Sequence, residues 1–277
     1  MMKLVDKLLL LFILAQVVGI FTGVIVLLDI MENPYVNALI VTSDADDPAN
    51  AVFFIAYILA GAIGMILAIR LLKLPAIFRF LEIVLIAGAS SIVFYSVLRL
   101  AFGFEVSMLA GILFGLALSA AKFFRPGLKN FAVILATAGV GVVFGVSLGL
   151  IPLILFLILL SIYDYSAVFF TKHMVELADY VVKKDLAFTI TAREKLPGKK
   201  EQRIDLGTGD LIAPIMLEVS TLAFNPVATA FVFIGSLISM ALFLGIVWKK
   251  KMVLPALPPI VAGMIVFLLL GMLLGFY

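Results

Sequence analysis

The sequence predicts an all-α protein, a polytopic bundle of nine membrane-spanning helices. Of its 277 residues, 65% are hydrophobic and 13% are charged, and the mean hydropathy is +1.28. An ordinary soluble domain has about 45–50% apolar and about 25% charged residues. Because one span takes about 20 residues, the chain has room for nine spans and for no separate soluble domain. We therefore predict a single membrane domain over residues 1–277.

Long apolar runs bounded by charged residues, Pro, Gly or Asn mark the predicted spans. Spans one to six, within residues 1–171, are predicted at 8–28, 50–72, 78–101, 106–122, 130–150 and 152–171. Spans seven to nine, within residues 207–277, are predicted at 207–223, 226–248 and 256–276. The fifth and sixth spans are expected to separate at Ile151-Pro152.

Residues 172–206 form the one long polar stretch, which we predict to be a mobile cytoplasmic loop. Within it, residues 186–191 have the β propensity of a short strand. An isolated strand is not stable alone, so this one would need a partner. Whether the loop is cut by the protein itself stays open.

The positions of Lys and Arg predict the orientation, because cytoplasmic loops carry the basic excess. Nineteen of the 20 Lys and Arg residues lie in the N-terminal segment and the second, fourth, sixth and eighth connections. The exception is Arg99, and the first connection is acidic. We expect a multi-pass protein of the cell membrane with a cytoplasmic N-terminus and an extracytoplasmic C-terminus. The net charge of +3 results mostly from these basic cytoplasmic loops. We therefore do not interpret it as a sign of nucleic-acid binding, and we expect no nucleic-acid partner.

Cysteine and histidine usage excludes several kinds of chemistry. The chain has no cysteine and a single histidine, His173. Disulfides, thiolate nucleophiles, Cys-ligated metals and His-rich metal sites are therefore excluded. We expect no metal ion and no cofactor.

Two aspartates, Asp164 and Asp210, lie inside predicted spans. A carboxylate near the centre of a span costs about 2.5–3.5 kcal/mol, which makes such a residue a functional candidate. Asp164 precedes Lys172, at the cytoplasmic end of the sixth span, by about 12 Å of helix, and Asp210 begins the seventh span. Both carboxyls are thus expected in the cytoplasmic half, where they could meet.

Two carboxyls in contact at a poorly solvated site share one proton and titrate as a coupled pair. The ionised member can take a proton from water while the protonated member polarises a scissile carbonyl, as in aspartic proteases. Gly207 and Gly209 flank Thr208 just before Asp210, where their lack of side chains would let another backbone approach.

Prolines near the predicted site are expected to interrupt helices. Pro255, Pro258 and Pro259 precede or begin the ninth span, and we predict an irregular segment there that lines a cavity. Pro214, four residues after Asp210, is expected to disturb the seventh helix and to free a carbonyl near the site.

Three short motifs coincide in order and topology: Tyr163-Asp164, Gly207-Thr208-Gly209-Asp210, and Pro255-Ala256-Leu257. Together they resemble the presenilin and signal peptide peptidase family of intramembrane aspartyl proteases. The resemblance implies that Asp164 and Asp210 are the catalytic pair and that single-pass transmembrane helices are the substrates. It further implies that Pro255, Ala256 and Leu257, with Tyr163 and the residues 207–209, form the wall of the substrate site.

The predicted orientation and the LPALP sequence resemble the presenilin branch. The N-terminal segment and the sixth connection are both short. In this respect the chain resembles a compact microbial member of the family, of the archaeal kind. We expect the bilayer and transmembrane substrates as partners and activity without obligatory partner subunits, and a homo-oligomer stays open. The substrate helix is expected to arrive laterally, unwind, and pair as a strand beside Asp210 or the segment of Pro255–Leu257.

Other interpretations stay open at this stage. A proton-coupled transporter or channel also uses intramembrane carboxylates, and Glu218 could belong to its pathway. The two aspartates could be protonated structural groups, as we expect of Glu218. A prepilin-type peptidase shares a GxGD aspartate, but nine spans with the Pro-Ala-Leu motif before the last argue against it. A scaffold protein is the remaining alternative.

Overall fold

The computed structural model describes residues 4–67, 75–170, 187–194, 202–250 and 254–277. These residues form nine α-helices and two β-strands. The helices are α1 (Leu4–Glu32), α2 (Ala49–Leu67), α3 (Pro75–Arg99), α4 (Phe104–Phe124), α5 (Lys129–Ser147), α6 (Leu150–Phe169), α7 (Thr208–Phe224), α8 (Pro226–Lys250) and α9 (Leu257–Leu273). The strands are β1 (Thr189–Glu194) and β2 (Gln202–Gly207).

Each predicted span corresponds to one of these helices. Six described helices, α1, α3, α4, α5, α6 and α8, are long and apolar enough to cross a membrane, and α2 and α9 are shorter apolar helices. The predicted helical membrane bundle is therefore confirmed. That all nine helices cross the bilayer stays a prediction.

The break between α5 and α6 lies at Leu148-Gly149, so the predicted break at Ile151-Pro152 is wrong. Pro152 is the third residue of α6. Amides in the first turn of a helix have no intrahelical acceptor, so a proline there costs no hydrogen bond. Gly149, the residue before α6, donates its amide hydrogen to the carbonyl of Ala45 at 2.8 Å, outside the helix.

Side-chain contacts define two ends of the bundle. Glu82, near the start of α3, contacts Lys122 near the end of α4 and the Ala187 amide just before β1. At the opposite end, Asp29 of α1 forms an ion pair of 2.9 Å with Arg99, the last residue of α3. We call these the hairpin end and the distal end.

The described helices alternate in direction between these two ends. Ser220, near the end of α7, donates to the carbonyl of Leu148 at the distal end of α5. The ring of Tyr277, after α9, lies against Phe224 at the end of α7 and Phe231 near the start of α8. The chain therefore begins at the hairpin end and finishes at the distal end, as alternating spans require.

Glycines allow α7 to pack closely in the centre. A Cβ added at Gly145 of α5 would lie 2.8 Å from the carbonyl oxygen of Met216, and one at Gly23 of α1 would lie 2.7 Å from Val219. Such separations are shorter than carbon atoms tolerate, so α1 and α5 approach α7 only because these side chains are absent.

The polar stretch between α6 and α7 contains a β-hairpin that was not predicted as a pair. β1 and β2 are antiparallel, with Thr189 opposite Gly207 and Glu194 opposite Gln202. The predicted strand at 186–191 overlaps β1, and β2 is the partner it needed. Residues 172–186 and 195–201 of the predicted loop, with His173 among them, lie outside the described residues.

Gly139 tests the close packing. A Cβ at this position of α5 would lie 2.6 Å from the carbonyl carbon of Ala89 in α3. Since backbone cannot move aside cheaply, Gly139→Ala should lower the free energy of unfolding by about 1–3 kcal/mol. The control is Gly88→Ala in α3, where a Cβ meets nothing within 4 Å. It should be neutral or stabilise by about 0.5–1 kcal/mol. Equal unfolding midpoints in detergent would contradict the prediction.

Candidate active site

Asp164 lies on α6, five residues before the helix ends, and its side chain is partly exposed. The backbone amide of Leu257 donates a hydrogen bond to its carboxylate. Leu257 is the first residue of α9, where backbone amides have no acceptor within the helix. The positive end of the α9 dipole thus faces Asp164, which favours a negative charge there.

Asp210 is the third residue of α7 and is also partly exposed. The backbone amide of Gly207, the residue that caps α7, donates to its carboxylate. Asp210 therefore has the same kind of partner as Asp164, a free amide at a helix N-terminus.

The two carboxylates interact electrostatically, so the structure brings Asp164 and Asp210 together across α6 and α7. Tyr163, half-buried, also interacts electrostatically with Asp164. The antiparallel arrangement of α6 and α7 places both residues toward the same end of the bundle. It provides two acidic groups that can act on one water molecule or one peptide bond.

The residues between β2 and Asp210 have distinct environments. Thr208 begins α7, and its amide donates to the carbonyl of Phe188 at 3.1 Å, which ties α7 to the hairpin. Gly209 is exposed, and a Cβ there would meet nothing within 4 Å. The space beside Gly209 is thus open; that another chain approaches there stays a prediction.

The Pro-Ala-Leu segment packs beside Asp164. Pro255, Ala256 and Leu257 are all buried. The prediction of an irregular segment through Pro259 is wrong, because Pro258 and Pro259 lie in the first turn of α9. Proline fits there because its missing amide would have had no helical acceptor.

Pro214 lies inside α7, which continues past it to Phe224. The expected interruption of the helix is therefore wrong. A proline nevertheless cannot donate to the carbonyl four residues earlier, which is that of Asp210. The carbonyl of Asp210 thus lacks its usual helical donor, as the sequence predicts.

A cavity of about 570 Å³ opens beside the site between α6, α8 and α9. Its lining includes Tyr165 and Phe169 from α6, Phe243 from α8, and Pro255 and Pro258. Most of the lining is apolar. No local pattern marks Tyr165 as a cavity residue, because three separate helices form the cavity.

Glu218, two turns beyond Asp210 on α7, is fully buried. Neither of its carboxylate oxygens has a hydrogen-bond partner among the described residues. Thr22 of α1 also has a buried hydroxyl without such a partner, and the contact of Gly23 with Val219 places Thr22 at the depth of Glu218. Glu218 is separate from the pair at Asp164 and Asp210.

Comparisons with known proteins identify the family and support the fold. The sequence model of a family described as signal-peptide peptidase, presenilin aspartyl protease matches residues 9–276. A presenilin family intramembrane aspartate protease solved in space group C222 is similar, with 22% identity, 96% of each chain covered and a TM-score of 0.65. One solved in space group P2 has 26% identity, with 94% of this chain and 97% of that chain covered and a TM-score of 0.64. A comparison with curated proteins finds no match.

Glu218 provides a prediction about stability. An unpaired buried polar group costs about 1–3 kcal/mol, so Glu218→Met, of similar volume, should raise the free energy of unfolding by about 1 kcal/mol. The control is Glu82→Met, which should be destabilising because it leaves Lys122 and the Ala187 amide without their acceptor. Thermal unfolding in detergent measures both. A loss of stability in Glu218→Met would show that its carboxyl has a partner, such as water.

Proposed function

The chain belongs to the signal-peptide peptidase and presenilin aspartyl protease family, and from this premise we propose that Asp164 and Asp210 are its catalytic pair. Membership makes the protein an intramembrane aspartyl protease and a multi-pass integral membrane protein. The observation that carries the proposal is that α6 and α7 pack together with the two carboxylates near enough for their charges to influence one another. Both belong to the family-like motifs, Tyr163-Asp164 and Gly207–Asp210.

The pair works by dividing the acid and base roles. One carboxylate removes a proton from water, whose oxygen attacks the carbonyl carbon of the scissile bond, while the protonated carboxyl donates to the carbonyl oxygen. The tetrahedral intermediate then collapses and the C–N bond breaks, while one carboxyl gives its proton to the leaving amine and the other carboxylate takes a hydroxyl proton from the intermediate, which restores the singly protonated pair. The amides of Leu257 and Gly207 stabilise whichever carboxylate is ionised.

The substrates are single-pass transmembrane helices, which must arrive from the lipid and expose a peptide bond. The cavity between α6, α8 and α9 supports lateral access, since it is mostly apolar and borders both Tyr165 and Pro255. A helical segment cannot present its backbone to the pair, because its carbonyls are already hydrogen-bonded. Cleavage therefore requires local unwinding.

The outer edge of β2 provides an acceptor surface for the unwound segment. The Thr208 amide bonds to the Phe188 carbonyl, so Thr189 and Gly207 form a pair without mutual hydrogen bonds. By the alternation of an antiparallel ladder, the backbone N–H and C=O of Asp205 also point away from β1. An extended substrate can add there as a third strand, which would lead its backbone toward Asp210.

The arrangement in the membrane follows the charge pattern. We infer nine spans in the cell membrane with the N-terminus cytoplasmic, so that the hairpin end lies on the cytoplasmic side. The alternation of the described helices and the basic residues near the hairpin end support this orientation. Activity without obligatory partner subunits is part of the same proposal.

The dyad is tested by isosteric substitution. Asp164→Asn and Asp210→Asn should each lower turnover of a fluorescent single-span substrate at least about 100-fold, because each removes one acid–base group. Purified protein in detergent is used, with unfolding curves for each variant. Glu218→Gln, which changes another buried carboxyl, should retain activity. Turnover that survives either Asp substitution in a folded variant would overturn the assignment.

Strand addition is tested at Asp205. Asp205→Pro removes the outward amide and should raise KM about tenfold, since one backbone hydrogen bond contributes about 1 kcal/mol and the strand is distorted as well. Asp205→Ala is the matched control, which loses the contacts with Arg203 and Thr191 but keeps the amide. Equal kinetics for the Pro and Ala variants would contradict pairing at this edge.

A further inference from the structure

Two polar side chains from neighbouring helices hold the β-hairpin by its backbone. The first is Asn130, the second residue of α5. Its amide nitrogen donates to the carbonyl of Thr191 at 2.8 Å, and its amide oxygen accepts from the N–H of Thr191 at 2.9 Å. Asn130 thus satisfies both outward backbone groups at the middle of β1, as a residue of a third strand would.

The second is Glu82 of α3, which is buried. Its carboxylate accepts a hydrogen bond from the amide of Ala187, two residues before β1, and forms an ion pair with Lys122 of α4. Lys122 compensates the charge of Glu82, so the carboxylate can remain buried while it binds the backbone. The start of the hairpin is therefore attached to α3 and α4.

A continuous set of hydrogen bonds leads from these side chains to Asp210. Asn130 binds Thr191 of β1, and β1 pairs with β2 along its whole length. β2 ends at Gly207, whose amide donates to the Asp210 carboxylate. The Thr208 amide adds a direct bond from α7 to Phe188.

We propose that Asn130 and Glu82 are positioning residues that fix the β-hairpin on α5 and α3 and so hold Asp210 and the β2 edge in place for cleavage. This inference rests on the proposed function for its kinetic consequences. Asn130 has a second effect, because it occupies the outer edge of β1 at Thr191. An extended peptide is thereby directed to β2, the strand that continues into Asp210.

The test combines backbone exchange with kinetics on the full-length purified protein. Asn130→Ala removes two hydrogen bonds and should raise amide hydrogen exchange at Ile190 and Leu206 about tenfold, with little change in α9. It should also lower kcat for a single-span substrate about tenfold, because Asp210 is less well placed.

Matched variants separate positioning from general stability. Asn130→Asp keeps the acceptor for the Thr191 amide. Its hairpin exchange rate and its kcat should therefore lie between those of the unmodified protein and those of Asn130→Ala. Asn37→Ala is the control for an exposed asparagine, and Glu105→Gln is the exposed control for Glu82→Gln. Both controls should leave exchange and kcat unchanged, whereas Glu82→Gln should raise hairpin exchange.

Two results would overturn the proposal: unchanged hairpin exchange in both Asn130→Ala and Glu82→Gln, or faster exchange with an unchanged kcat. If the unmodified protein cleaves no substrate, the proposed function fails. The exchange data then still decide whether the two side chains hold the hairpin, so the two failures are distinguishable.

Discussion

The cost of placing a carboxylate in a medium of low polarity governs this structure. Asp164 and Asp210 lower this cost in the same way. Each carboxylate accepts a hydrogen bond from the backbone amide of a residue at a helix N-terminus. Helix N-termini supply such donors because their first amides have no partner within the helix. Two helices must therefore begin at the depth of the pair, and the chain before each of them cannot be helical. The hairpin before α7 and the segment Leu254–Ala256 before α9 satisfy that requirement.

The second constraint is that α7 must be central while it carries a charged group at its start. Its residues from Leu211 to Thr221 are almost all buried, and it packs against α1, α5, α8 and α9. Such a position leaves little room for side chains on the neighbouring helices, which is why glycines face Ile215 and Val219. Packing of this kind fixes the depth of α7, and hence the position of Asp210, within a fraction of a helical turn.

The spans could be predicted from the sequence because each one is a long apolar run, whereas its ends depend on finer effects. Pro152 and Pro258 resemble helix breakers in the sequence but lie in first turns, where the missing amide has no consequence. Topology alone places the two aspartates in the same half of the bundle, and their pairing stays a prediction. β2 could not be predicted, because Gln202–Gly207 is polar and is a strand only by pairing with β1. The contacts of Asn130 and Glu82 join residues 61 and 105 positions apart, which no local pattern reveals.

The amide of Asn130 makes the small sheet asymmetric. One edge is closed at its midpoint by a side chain that belongs to a membrane helix, and the other faces outward. A sheet of this kind can be extended at β2 but not at the middle of β1, so the hairpin offers one edge for strand addition. Under the proposed strand addition, one unwound segment at a time would pair with β2, and the cleaved strand would have to leave before the next could pair. The same closure keeps the edge of β1 from the edge-to-edge assembly that unpaired strands otherwise invite.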